Sequence, residues 1–234
     1  MGRTIIVGDV HGCRLELEAL LDRVAFASGD RLVLVGDLVA RGPDSIGALD
    51  VARRTGAILV RGNHEQKLLD WRHHGAALGR THSEVARAMR EVDWTLLETS
   101  PFWLDLPEHG ARVVHAGVLP GVPLDAQHPH TLMTIRTVGP RGEAAHKNRH
   151  PVLWGERWRG PTQIVFGHNA LPGLQLHPYA TGLDTGCVYG GALTALVLAE
   201  GEKVARGRER RRLQLVGEPA RRVWFQPGRR KRAA

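Results

Sequence analysis

Thr4-Ile5-Ile6-Val7-Gly8-Asp9-Val10-His11-Gly12 is the stretch whose reading decides the fold of this chain. An apolar, β-branched run stops at a glycine, and two metal-binding side chains follow, one residue apart. The same grammar returns downstream. Gly36-Asp37-Leu38-Val39-Ala40-Arg41-Gly42-Pro43, Arg61-Gly62-Asn63-His64-Glu65 and Gly167-His168-Asn169 each follow an apolar run, and His115-Ala116-Gly117 ends one. Each segment couples a donor side chain to glycine, which lets the backbone turn sharply around the donor.

Between these segments the pattern alternates. Leu15, Leu17, Leu20, Leu21 and Val24 recur at helical spacing, which predicts a helix over 13–26. Arg31–Val35 and Ala57–Val60 read as strands, and 45–54 as a helix capped by Asp44. Asn63–His73 and Glu84–Leu97 read as helices, with Trp71, Trp94 and Trp103 packed around the second. Arg112–His115 and Gln163–Phe166 are the next strands, and Gly182–Val188 with Ala192–Ala199 reads as a hairpin through Tyr189-Gly190-Gly191. Strand, loop and helix in alternation predict an α/β fold with its site at the carboxyl ends of the strands.

The chain has 234 residues, 42% of them apolar, enough for one domain with a buried core. The two cysteines, Cys13 and Cys187, imply no disulfide framework, and a reducing cytoplasmic setting is expected. No apolar run reaches the ~20 residues of a membrane helix, and no signal peptide is expected. The net charge of +8 is unevenly placed. From Lys203 to Ala234 there are twelve Lys or Arg against two Glu, so residues 1–202 are slightly acidic. This divides the chain into a catalytic domain over 1–202, with a loop-rich, lid-like insertion at 118–150, and a basic C-terminal extension over 203–234. Within the extension 211–225 is expected to add a strand, and 226–234 to be disordered. The extension reads either as a solvated appendage or as a contact for a polyanion such as nucleic acid or polyphosphate.

Asp9 and His11 can reach one cation from a strand end. Asp37, leaving the neighbouring strand, can bridge to a second, which Asn63, His115 and His168 complete. Such oxygen and imidazole donors suit two divalent ions, manganese first, with cobalt, iron or zinc as alternatives. Two ions ~3.5–4 Å apart can hold a hydroxide and clamp phosphate oxygens for in-line displacement. His64, next to Asn63, is placed to protonate a leaving oxygen, with Glu65 or a nearby carboxylate orienting its ring. Arg41 can fork two bonds onto phosphate, and Arg157 in Trp154-Gly155-Glu156-Arg157-Trp158 is a second clamp candidate.

In this order and company the segments resemble the calcineurin-like metallophosphoesterase superfamily, in the branch shared by phosphoprotein phosphatases and symmetrical diadenosine tetraphosphatases. The resemblance runs from Gly8 to about Leu196. It implies a β-sandwich flanked by helices, with a dimetal site at the strand ends. It implies Asp9, His11 and Asp37 around one ion, and Asp37, Asn63, His115 and His168 around the other. His64 is implied as general acid, and Arg41 as the phosphate-binding arginine.

Protein phosphatases of this branch usually carry a second Asp where this chain has Ala40. Leu-Val-Ala-Arg-Gly-Pro is instead similar to the tetraphosphatase pattern, as is Leu183-Asp184-Thr185-Gly186-Cys187-Val188-Tyr189-Gly190-Gly191. Gly-Asn-His-Glu replaces the more usual Gly-Asn-His-Asp, and the stretch from His115 to His168 is short, as in the smaller ApaH-like phosphatases. The implied activity is hydrolysis of diadenosine tetraphosphate to two ADP. A serine/threonine phosphoprotein phosphatase, a general phosphomonoesterase, and a polyanion-binding protein using the basic tail are the alternatives. Asp184 is expected as a structural carboxylate behind the metals, His177 as a packed or exposed histidine rather than a ligand, and Tyr189 as a base platform or a turn residue. His130 and Lys147 have a minor claim to a substrate phosphate.

Overall fold

In the computed structural model, which describes residues 2–148 and 150–226, alternate residues of each short strand enter different cores. β1 (Thr4–Val7), β2 (Arg31–Leu34) and β3 (Ile58–Leu59) are separated by α1 (Arg14–Arg23) and α2 (Ser45–Arg54). Three helices follow, α3 (Asn63–His74), α4 (Arg80–Ala88) and α5 (Glu91–Thr99). The chain then forms β4 (Trp103–Leu106), β5 (Ala111–Val114), α6 (Pro129–Thr134), β6 (Thr137–Val138), β7 (Ala144–Ala145) and α7 (Trp154–Arg157). It closes with β8 (Gln163–Phe166), β9 (Gln175–His177), β10 (Ala180–Gly182), β11 (Ala192–Leu198), α8 (Arg208–Arg212) and β12 (Leu215–Pro219).

Two five-stranded sheets form, ordered β12-β11-β1-β2-β3 and β4-β5-β8-β10-β9. Ile5 and Val7 join the helices α1–α3 in one core, while Ile6 points between the sheets to meet Val113 and Val165. Val114, Ile164 and Phe166 face outward from the second sheet, under Trp154 and Trp158. The layers are therefore helix, sheet, sheet, and a cover from the insertion. Strands of four residues suffice in β1, β5 and β8 because every residue there is buried on one face or the other.

β1, β2 and β3 are mutually parallel, as are β5, β8 and β10. The loops after β1, β2, β3, β5 and β8 therefore leave from carboxyl ends, and these loops hold the five glycine segments. Asp44 caps α2 by accepting the Gly47 N–H at 2.8 Å, as its place in the sequence suggested.

Several expectations need correction. The helix read over Glu84–Leu97 is two helices, α4 and α5. The chain is extended at Met89 and Arg90, and Asp93 takes the Arg90 N–H at 2.9 Å to start a new helix. Trp71 and Trp94 stack with centroids 6.1 Å apart, but Trp103 lies in the other sheet beneath Arg112. The expected hairpin through Tyr189 does not exist. β10 pairs with β8 in the second sheet and β11 with β1 in the first, so residues 183–191 cross between sheets. Long-range partners already present outcompete a local hairpin. Gly186 and Gly190, at φ 73° and 91°, shape the crossing.

The charge step at Lys203 is not matched by a step in packing. Val204 is buried between the sheets, β12 extends the first sheet beside β11, and Arg211 is fully buried. The Trp224 indole donates to Glu16 at 2.8 Å. Residues 227–234, most of the stretch expected to be disordered, lie outside the described residues.

Candidate metal centre

The loop conformations come first, because they aim the donors. Among the described residues, His11, Asp37, Ala40, Arg41 and His168 all adopt positive φ, between 49° and 70°. Side chains rarely accept this backbone, which costs on the order of 1–3 kcal/mol each, and it concentrates here because the surrounding packing enforces it. Glycine is required at two contacts. A Cβ on Gly36, itself at φ 107°, would sit 2.7 Å from His115 Nδ1, and one on Gly167 would run into the Asp9 carboxylate.

The result is a donor cluster centred on Asp37. Its Oδ2 lies 3.6 Å from His11 Nε2 and 3.8 Å from His64 Nε2, and its Oδ1 lies 3.3 Å from His115 Nε2. Two sets of donor atoms converge within 4.8 Å, His11 with Asp37 and His64, and Asp37 with His115 and His168. Asp37 belongs to both. Asn63 Oδ1 joins the second set, 3.1 Å from His115 Nε2. Asp9 stands at the edge, 4.0 Å from His11, with its carboxylate accepting the His168 N–H at 2.9 and 3.1 Å. Behind the donors, His11 Nδ1 faces Val39 O at 3.2 Å and His115 Nδ1 faces Val35 O at 3.0 Å, contacts that aim each Nε2 inward.

The electrostatics suit cations. Burial works against charge on Asp37, but His115 first, then His64 and His11, hold its carboxyl well below the usual range. Burial lowers His11 to about 4 and pushes His64 and His168 well below the usual imidazole value. These rings are therefore neutral, the form that ligates metal. His115 is pushed up to about 9, because Asp37 and Asp9 outweigh its burial. A bound cation would take the place of that proton. His168 Nε2 is buried and finds no hydrogen-bond partner among the described residues. An orphaned imidazole aimed into a carboxylate cluster fits a divalent ion.

One supporting role differs from expectation. Glu65 does not orient His64. Its carboxylate, fully buried and pushed up to about 7 by that burial, accepts the N–H groups of Asp37, Leu38 and Gly62 at 2.8–2.9 Å and of Val39 at 3.4 Å. It therefore organises two of the loops at once. The His64 ring instead stacks on His82 of α4, centroids 4.7 Å apart, and its Nδ1 has no partner among the described residues.

Beside the donors opens a cleft of about 1050 Å³, lined by Arg41, Arg136, Lys147, Asn148, Asp184 and Tyr189 among others. Arg41 lies 2.7 Å from His11 Nε2 and over the Tyr189 and Phe225 rings. Asp184 is buried there and accepts the Gly186 N–H at 3.1 Å. Arg157 is not part of this site. It is exposed and lines a separate depression with Pro120, Gly139 and His150. The second arginine is Arg136, between α6 and β6, with Nη1 2.7 Å from Asn169 Oδ1. Sequence reasoning missed it. The available signal was a lone cation between buried residues, Ile135 and Thr137, inside the histidine-rich insertion. His130 and His146 pair edge to face at 4.5 Å on the flank of the site. His177 is buried in β9 beside Gln175 and takes no part.

The calcineurin-like phosphoesterase pattern matches residues 2–206. A symmetrical bis(5'-nucleosyl)-tetraphosphatase of Chromohalobacter salexigens is 32% identical, over 85% of this chain and 96% of its own length. An asymmetrical bis(5'-nucleosyl)-tetraphosphatase, PrpE of Bacillus mycoides, is 29% identical over 86% and 92%. Among solved structures, one provisionally named a diadenosine tetraphosphatase superposes with a TM-score of 0.81 at 38% identity, covering 94% of each chain. A serine/threonine phosphatase of Saccharomyces cerevisiae shares the fold, with a TM-score of 0.58 at 15% identity, over 98% of this chain and 81% of its own.

Proposed function

The chain belongs to the calcineurin-like phosphoesterase family and is a dimetal hydrolase, and from that premise we propose that it splits diadenosine tetraphosphate symmetrically into two ADP. Asp9, His11 and Asp37 would hold one cation, and Asp37, Asn63, His115 and His168 the other, with manganese our choice of metal. When bound, the pair supplies Lewis acidity and an activated water. Arg41 and Arg136 bind the bridging phosphates, and Tyr189 offers a face to an adenine ring.

One observation carries the choice of substrate. Among the described residues no carboxylate accepts from His64 Nδ1. Ala40 occupies the position where the phosphoprotein phosphatases have their second Asp, and His64 Nδ1 has no partner among the described residues. Expelling a serine alkoxide from phosphorus demands a well-supported acid. Expelling ADP breaks a phosphoanhydride, whose leaving oxygen is already stable as an anion and needs little from His64. The relaxed support of His64 therefore suits a polyphosphate better than a phosphoprotein.

The test is product analysis. With manganese and diadenosine tetraphosphate, chromatography should show ADP as the only product. ATP with AMP would replace this reading with asymmetrical cleavage, and turnover of a phosphopeptide alone would overturn it. In the same assay Arg136→Ala should lower kcat/KM by about 10²-fold, the scale of one lost charge-stabilising contact. Arg157→Ala should stay within about twofold, as befits an exposed residue outside the cleft.

A further inference from the structure

Much of the basic segment's charge has no carboxylate counterpart among the described residues, although Arg212 faces Glu209 at 4.0 Å. Some surface arginines are matched by carboxylates, as with Arg3 and Asp30, Arg54 and Glu18, or Arg72 and Glu91. Lys203, Arg206, Arg208 and Arg210 have no ion-pair partner among the described residues. Three of them, Lys203, Arg206 and Arg210, line one groove of about 950 Å³.

This groove is built rigidly. Buried Arg211 donates to the carbonyls of His177, Pro178, Ala180, Ala205 and Arg206, which fastens the 205–212 segment onto the second sheet. Gln214 accepts the Ala205 N–H at 3.0 Å and donates to Glu202 at 2.7 Å. Glu202, the one acidic residue lining the groove, also takes the Ala199 N–H at 2.8 Å, so both its oxygens are engaged. The cations are thus presented on a fixed frame, which reduces the ordering cost of binding. Apolar surface lies among them. Pro161 and Leu213, the latter 87% exposed, line the groove, and Arg206 sits 5.4 Å over the Tyr179 ring.

The groove is separate from the metal centre. It takes Gly110 and Gln163, at the amino ends of β5 and β8, whereas His115 and His168 follow their carboxyl ends. Four-residue strands put ~13 Å between the two ends.

We propose that this groove is a second, non-catalytic site that binds single-stranded nucleic acid. Phosphodiesters lie along Lys203, Arg206 and Arg210, and bases rest on Leu213, Pro161 and the Tyr179–Arg206 pair. A bare polyphosphate would use the cations but has nothing to place on the apolar surface, which is why the choice falls on a strand bearing bases.

Fluorescence anisotropy with labelled uridine and thymidine oligomers of about 12 nucleotides tests it on the full chain. Both contain the proposed chemistry, and the tighter one identifies RNA or DNA as the source. The Lys203→Ser, Arg206→Ser, Arg210→Ser triple variant should bind at least about 10-fold more weakly, and its salt slope should flatten by about 2, at ~0.7 per lost phosphate contact. Its hydrolysis of diadenosine tetraphosphate or of a chromogenic phosphodiester should match wild type, which separates this proposal from the catalytic one and reports an intact fold. Photocrosslinking of the wild-type complex should label the peptide containing Tyr179. Unchanged affinity in the triple variant overturns the proposal, and so does binding of inorganic polyphosphate without binding of either oligomer.

Discussion

Asp37→Asn should reduce turnover by about 10³-fold, equivalent to about 4 kcal/mol of barrier, while leaving the fold in place. The substitution keeps the shape and one acceptor oxygen, so the His64 N–H that Asp37 Oδ1 accepts at 3.0 Å can still be satisfied. What disappears is the one negative charge shared by both donor sets. His11, His64 and His115 all face that carboxylate within 4 Å, and without it three imidazoles surround a neutral amide. Neither cation is then adequately compensated. Metal analysis after gel filtration should find fewer than two ions per chain, with circular dichroism unchanged. An Asp37→Asn protein that keeps two tightly bound ions and turns over within about tenfold of wild type would remove the basis for the site.

Glu65→Ala should be the most damaging change to stability among the residues around the metal centre, costing about 4 kcal/mol and about 10 °C in Tm. Four backbone N–H groups from two loops end on this one buried carboxylate. Alanine leaves them facing a void, and each buried donor without an acceptor costs on the order of 1–3 kcal/mol. Water entering the void recovers part of this. Glu65→Gln is the informative companion, since its amide group would point N–H at N–H on one side and should also destabilise, though less. Thermal unfolding followed by calorimetry measures both. Activity should fall with stability, because the same N–H groups fix the loop that aims Asp37. If Glu65→Ala melts within about 2 °C of wild type, Glu65 does not organise these loops.

The donors were legible because their backbone demands are local. A glycine beside Asp37 or His168 reports a left-handed turn, and an apolar run before it reports the strand that carries it, so neighbours a few residues apart encode both. Asp44 as a helix cap was legible for the same reason. Arg136 and Arg157 were not separable by that means. Both are arginines in loop-rich sequence, and only the docking of 118–160 against the second sheet decides which one enters the cleft. Glu65 carries the same lesson at shorter range. Its position next to His64 suggested a partner for the ring, but the helix α3 turns its carboxylate toward Gly62 and the Asp37 loop instead.

Sequence alone thus determined the strands that carry the donors, the order of those donors along the chain, and the family. Tertiary structure decided that residues 182–199 divide between two sheets, that Arg136 and not Arg157 meets the cleft, and that the described residues after Lys203 pack onto the body. The division follows range of interaction. A turn or a cap is settled by energies within a few residues, whereas the partner of a strand or of a buried arginine is settled by competition among surfaces that meet only once the chain has folded.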